Sequence, residues 1–426
     1  MPRNLGCDRP VLSSSVSRFI KRLTPRPVVL RGLIRAFAIS LLFLGCTPSE
    51  KKEVGRDALQ PINVALKHEN YFVRSAGIKA IGEMGDPALL PLIIPGFKDS
   101  VSFVRLFSVE AAAELHGPDT LKLLLAAGAD PDPMVRVAVV KAIDDLSTDG
   151  RVDSIPIEKL LLPFTKDPDA TVSLFAHASL ARQGNDEAFS SLEIAAKNHE
   201  VAMPAMVALG RTKRKEAIPI LSDGLKNPDE MVRMLAAEAL GEIAAKETFA
   251  ILSALITDSS STVRGAAATS LGKVGDPKAI AILEKQLNDS DPMVQLSAAE
   301  GLMRLGIKRF DIYEKGLRHP DYGVRHSAVG SLRKVAGKEA VPLLSHALSD
   351  EAPRVRIGAV RAIGFVGDRS SVPLLQKMLT DADLSVRAYA AGNIGRLSRG
   401  VRPLRGVRPL RGVRPSEGTL PLREGE

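Results

Sequence analysis

Two histidine–glutamate pairs, His68-Glu69 and His199-Glu200, come closest to a reactive constellation in this sequence. An imidazole beside a carboxylate is a donor set for a first-row transition metal, provided that several such donors converge. Three more histidines, His319, His326 and His346, stand in successive turns and helices of the C-terminal third, where scattered solvent-facing imidazoles are the plainer reading. The two thiols, Cys7 and Cys46, lie near the N-terminus, so no disulfide framework or thiolate metal site holds the body together. Gly-rich phosphate loops, Ser-His-Asp sets and Cys-x-x-Cys are all missing. The expectation is a protein without catalytic, cofactor-binding or metal-binding residues, and not an enzyme.

The elements around these residues follow one period. Aligning on a valine usually followed by arginine gives Val73, Val104, Val135, Val172, Val201, Val232, Val263, Val294, Val324, Val355 and Val386, with eight of the ten steps 30 or 31 residues long. Four residues after the valine the side chain is almost always small, as at Gly77, Ala236, Ala267 and Ala390; eight after, it is Ile or Leu in most units. Positions 0, 4, 7 and 8 share one face of a helix. That helix ends in glycine, often Gly-Asp, as at Gly85-Asp86, Gly275-Asp276 and Gly367-Asp368. Glycine suits a left-handed C-cap and aspartate the N-cap of the helix that follows. The following helix is apolar in Ala88–Ile94 and Val341–Leu348, with Pro342 and Pro373 in first turns, where no hydrogen bond is lost. A helix pair of this length cannot bury both faces alone, so the units must stack. Aspartates six residues before the arginine (Asp99–Arg105, Asp258–Arg264, Asp350–Arg356) would pair along the stack as a ladder.

The columns resemble HEAT repeats of the phycobilin-lyase-like subtype, D-x5-V-R-x2-A-x2-A-L-G-x-I-G-D, over about residues 57–397. The resemblance implies an all-α solenoid of about eleven two-helix repeats. It does not carry a function, since such repeats serve lyases, scaffolds and adaptors alike. In deoxyhypusine hydroxylase, a HEAT-like family, four His-Glu pairs that open second helices hold iron; here His326 alone occupies that slot, followed by Ser327. A phycobilin lyase would want aromatic pocket walls, and the chain has 4 Tyr, 13 Phe and no Trp.

Both ends differ from the body. Ala36–Gly45 is a short uncharged run behind Arg31 and Arg35, too short to span a bilayer but suited to a signal peptide. Phe43-Leu-Gly-Cys46 resembles the lipobox of bacterial lipoproteins, which implies lipidation of Cys46 and a periplasm-facing, membrane-anchored protein; a cytoplasmic adaptor is the alternative. The expected order is a signal peptide over 1–45 with a start codon assigned upstream, a tether over 46–56, the solenoid over 57–397 and a disordered Arg/Pro/Gly tail over 398–426. The tail's RGVRPL unit, nearly perfect and unrelated to the body, reads as translated intergenic repeat.

The formal charge of +9 belongs to these ends: residues 1–45 hold 8 basic and 1 acidic residues and 396–426 hold 8 and 3, while 46–395 hold 42 and 45. A near-neutral body offers no broad phosphate-neutralising face, so no nucleic-acid partner is expected. The expected partner is another protein on the concave surface of a monomer, with two candidate patches. Ten residues after the valine, Arg182, Arg211, Lys273, Arg304, Lys334 and Arg396 would form a basic ridge, although cations also suit helix C-termini. Leu106-Phe107 and Leu174-Phe175 would form an apolar patch near the insertion at Ser147–Asp153.

Overall fold

The computed structural model describes residues 59–117, 119–148 and 157–400. The signal segment, Cys46, the tether, most of the insertion and the tail from Val401 lie outside the described residues. Among the described residues, twenty-two α-helices alternate between a first helix and a generally longer second one. The short first helices are α1 (59–66), α3 (Leu90–Ile93), α5 (Thr120–Ala127), α7 (Ile157–Leu161), α9 (Asp186–Ala196), α11 (Ile218–Gly224), α13 (Thr248–Ala254), α15 (Ala279–Gln286), α17 (Phe310–Leu317), α19 (Val341–His346) and α21 (Val372–Lys377). The longer second helices are α2 (Tyr71–Met84), α4 (Ser102–Leu115), α6 (Pro133–Thr148), α8 (Ala170–Arg182), α10 (Ala202–Thr212), α12 (Glu230–Ile243), α14 (Ser261–Val274), α16 (Pro292–Arg304), α18 (Tyr322–Val335), α20 (Pro353–Val366) and α22 (Leu384–Arg399). This is the all-α solenoid of eleven repeats that the columns imply.

The second helices begin and end as their sequences dictate. Asn70, Asp169, Asp229, Asp291, Asp321 and Asp383 each accept a first-turn backbone N–H. Gly85 and Gly275 close α2 and α14 at φ 63° and 76°. Gly367 is extended instead, and three caps take the left-handed conformation without glycine: His116, Lys213 and Ala244, at φ 52°, 56° and 51°. Each should cost about 1 kcal/mol relative to glycine. The first helices are shorter than their apolar runs suggest. Pro87–Lys98 divides into a 3-10 turn, the four-residue α3 and a second 3-10 turn. Pro91 and Pro95 withhold N–H groups, and their rings crowd the preceding turn.

The alignment valines and the small residues after them form the core. Val263, Ala267 and Leu271 are fully buried, as are Val355, Ala359 and Ile363. Neighbouring second helices approach at near-backbone contact: a Cβ added to Gly210 would lie 2.7 Å from the Ala239 Cα.

The ladder forms between repeats. Arg74, Arg105, Arg136, Arg233, Arg264, Arg325 and Arg356 each give two parallel bonds to the aspartate of the next repeat: Asp99, Asp130, Asp167, Asp258, Asp289, Asp350 and Asp381. The same guanidinium also donates to turn carbonyls of its own repeat, as Arg264 does to Asp258 and Ser259. Where the arginine is replaced, the facing aspartate is missing too: Ala202 meets a repeat with Asn227, and Gln295 one with His319. Inside the array a rung is present whole or absent whole, which avoids a half-buried charge without a partner; the exception is Arg387 of the last repeat, which faces His68 and donates only to the carbonyls of Asp381 and Ala382 in its own repeat.

The array closes on itself. The last second helix, α22, packs along the first, α2, as neighbouring second helices do elsewhere. Gly392 permits the contact, since a Cβ there would stand 2.5 Å from the Ala80 carbonyl oxygen. The closing bonds are not ladder rungs, because His68 occupies the aspartate position of the first repeat. Glu83 instead accepts from Arg361 at 2.6 Å and from Asn393 at 3.0 Å, and Arg399 pairs with Asp86 at 2.5 Å. The concave surface expected of an open solenoid is therefore the inner face of a ring.

Candidate functional site: the inner face of the ring

One stripe of each second helix turns inward: the residues one before the valine and three, six and ten after it, which share an arc of about 60°. Its N-terminal end is apolar. Phe72, Phe103 and Met134, on three successive repeats, are 51%, 39% and 56% exposed. The two phenylalanine rings belong to a cluster: Tyr71 stacks on Phe72 at 4.2 Å, Phe72 meets Phe103 at 5.8 Å, and Phe103 meets Phe107 edge-on at 4.6 Å. Met231 and Met293 hold the same position further round and are also exposed.

The middle and C-terminal end of the stripe are charged, in two groups. At the seam, Arg361 lies over Tyr389 at 5.1 Å while bonding Glu83. Arg396 and Arg333 lie on Phe365 at 4.9 and 5.8 Å, and burial pushes both guanidinium pKa values down. Beside them Glu114 is pushed up to about 7, first by burial and then by the charge of Glu83, and its Oε2 has no hydrogen-bond partner. Lys79, on the neighbouring turn, pairs with Glu110 at 3.0 Å over the Phe107 ring.

On repeats three to seven the stripe opens into a cavity of about 580 Å³. Lys141, Phe175, Arg182, Arg211, Glu238 and Glu242 contribute to its wall. Arg182 and Arg211 both donate to one buried carboxylate, Asp144, Arg211 at 3.1 Å. Lys273 pairs with Glu242 at 2.8 Å. Lys141 lies over the Phe175 ring at 4.5 Å, and Arg211 approaches the same ring at 5.6 Å.

The structure brings the two candidate patches together and divides each. Phe107 joins the exposed aromatic cluster, whereas Phe175 is buried between cations in the cavity; Leu106 and Leu174 pack into the core. The basic column does face inward, but most of its charges meet acids of the chain itself. Besides those in the cavity, Arg304 and Lys334 share Glu300 at 3.0 and 3.6 Å. Sequence reasoning missed the row led by Phe72 and Phe103, and the acids Asp144 and Glu300. Reading the columns one before and six to ten after the valine would have found them.

The histidines are spread out. His68 and His319 accept from the N–H groups of Asn70 and Asp321 in their own turns, and His326 bonds the Arg354 carbonyl. His199 opens a 3-10 turn ahead of α10, and His346 lines a shallow pocket of about 220 Å³ beside Arg318. Among the described residues no three His, Cys, Asp or Glu side chains stand close enough to hold a metal ion. Among them too, no helix is long and apolar enough to cross a membrane.

Stacked helix pairs with an inward second helix, small residues at the helix contacts and an Arg–Asp ladder define an α-solenoid repeat protein. Within it, residues 194–260, 218–303 and 311–395 match the HEAT-repeat family model. No curated protein sequence matches the chain. Among solved structures it is similar to the complex of CpcE and CpcF of phycocyanin lyase from Nostoc sp. PCC7120, at 20% identity over 55% of this chain and 93% of that one, with a TM-score of 0.39. Human deoxyhypusine hydroxylase is similar at 17% identity over 61% and 99% of the two chains, with a TM-score of 0.31. A structure of Kap95p bound to RanGDP matches at 14% identity over 80% and 57%, with a TM-score of 0.33.

Proposed function

We propose that this chain is a non-catalytic scaffold or adaptor for another protein, carried on the bacterial cell envelope by a lipid on Cys46 and facing the periplasm as a monomer. The observation that carries the scaffold reading is the row Phe72, Phe103 and Met134 at the N-terminal mouth of the ring. Large apolar side chains exposed on successive repeats of a rigid frame are what a partner's apolar anchor requires. The envelope reading rests on the Arg-flanked apolar run and Phe43-Leu-Gly-Cys46.

Two experiments test the two parts separately. A photo-crosslinking residue in place of Phe103 should trap one discrete partner in cells, and Met134→Ser should abolish that product while leaving the thermal midpoint unchanged. No discrete product from Phe103, against the same residue placed at Lys377 on α21, would remove the mouth as the docking surface. Metabolic palmitate should label the wild type and not Cys46→Ala; no label in either would remove the envelope and favour a cytoplasmic adaptor.

A further inference from the structure

We propose that the cavity bounded by α6, α8, α10, α12 and α14 is a binding site for a small organic oxyanion, a carboxylate or a phosphate, gripped by Lys141 and Arg211. Its volume of about 580 Å³ lies in the range of small-molecule sites.

The charges around it are unbalanced in a particular way. Arg182 and Arg211 divide one carboxylate, Asp144, between them, and that carboxylate is 2% exposed. Lys273 is taken by Glu242. Lys141 has no carboxylate within ion-pair distance among the described residues; its ammonium rests on one aromatic ring that it shares with Arg211. The Nε of Arg211 is buried and makes no hydrogen bond. A half-buried ammonium without a carboxylate, beside a guanidinium that must share Asp144 with Arg182, leaves positive charge in surplus on this wall. Consistent with that surplus, the Lys141 pKa is pushed down, first by burial and then by the nearby Arg211 cation.

The remaining wall shapes the ligand. Glu238 also lines the cavity, so a diffuse polyanion is repelled. A molecule charged at one end, with a neutral polar remainder, satisfies both the cations and the acids.

Calorimetric titration of the full chain with glycerol 1-phosphate and with glycerate, which share a body and differ in the oxyanion, tests the site. At least one should bind saturably at one molecule per chain, and the stronger of the two identifies the oxyanion. Lys141→Met and Arg211→Met should each weaken it by about ten-fold or more, a loss of about 1.4 kcal/mol, whereas Lys377→Met should not. Lys141→Arg should restore most of the affinity. Should either methionine variant fail to fold, the wild type supplies the readout: saturating ligand should slow acetylation of Lys141 by about ten-fold and leave Lys377 unchanged. Failure of both compounds to saturate, or acetylation of Lys141 that ignores the ligand, would overturn the site.

Discussion

Glu114 and the ladder aspartates respond to pH with opposite signs. Burial, with Glu83 and Glu110 nearby and Lys79 and Arg361 opposing, raises the Glu114 carboxyl from 4.5 to about 7. The folded protein then holds a proton that the unfolded chain has released, so this residue lowers stability as pH rises from 4.5 to about 7. The total effect is on the order of 3 kcal/mol. Asp99, Asp167 and Asp289 are held below their ordinary 3.8, chiefly by the arginine each accepts. Their contribution is present above that value and lost as pH falls beneath it. Glu114→Gln should therefore raise the urea midpoint above pH 7 and leave it nearly unchanged below pH 4.5. Equal midpoints for variant and wild type above pH 7 would show that the carboxylate finds compensation when ionised. Nothing in the sequence singles out Glu114, because its environment is made by Glu83 and Arg361, and Arg361 is separated from it by most of the chain.

At the scale of the element, the ladder was legible because the sequence period equals the spatial neighbour. Each arginine reaches one repeat along, so spacing alone pairs Arg264 with Asp289. Both side chains are mostly buried, at 15% and 8% exposure. Removing one partner strands the other, whereas replacing both with apolar groups strands neither. Arg264→Leu should cost about 3 kcal/mol, and the double variant Arg264→Leu/Asp289→Leu should recover most of it. Chemical denaturation of the two single variants and the double variant measures the coupling; additive losses would mean that the rung contributes little as a pair. The short first helices were less legible. Their apolar runs read as continuous helix, while the prolines within them and the need to fit two helices into some thirty residues break them into 3-10 turns. The inward stripe was half legible. Its cations stood out as a column, but Asp144 and Glu300 stand nine and six residues after their valines, so that column by itself shows only the Lys273–Glu242 pair.

Closure of the repeat array was not legible. A repeat period determines which units touch but not how far each is rotated from the last, and eleven repeats meet end to end only when that rotation is roughly 33°. The seam residues Glu83, Asn393 and Gly392 fall outside the shared pattern, and the position where a rung would form carries His68. Closure makes the inner face a shared surface, in which Arg333 and Arg361 of late repeats reach the glutamates of the first two. It also gives the cavity and the apolar mouth fixed walls, so opening the ring should disturb both. The most direct test places spin labels at Pro87→Cys and Ser398→Cys, with Cys7 and Cys46 changed to serine. Both sites are exposed, and each is next to one partner of the Asp86–Arg399 pair. A closed ring predicts a narrow distance distribution near two helix diameters, roughly 20 Å. A broad distribution reaching on the order of 90 Å, the length of eleven helices laid side by side in an open arc, would contradict it.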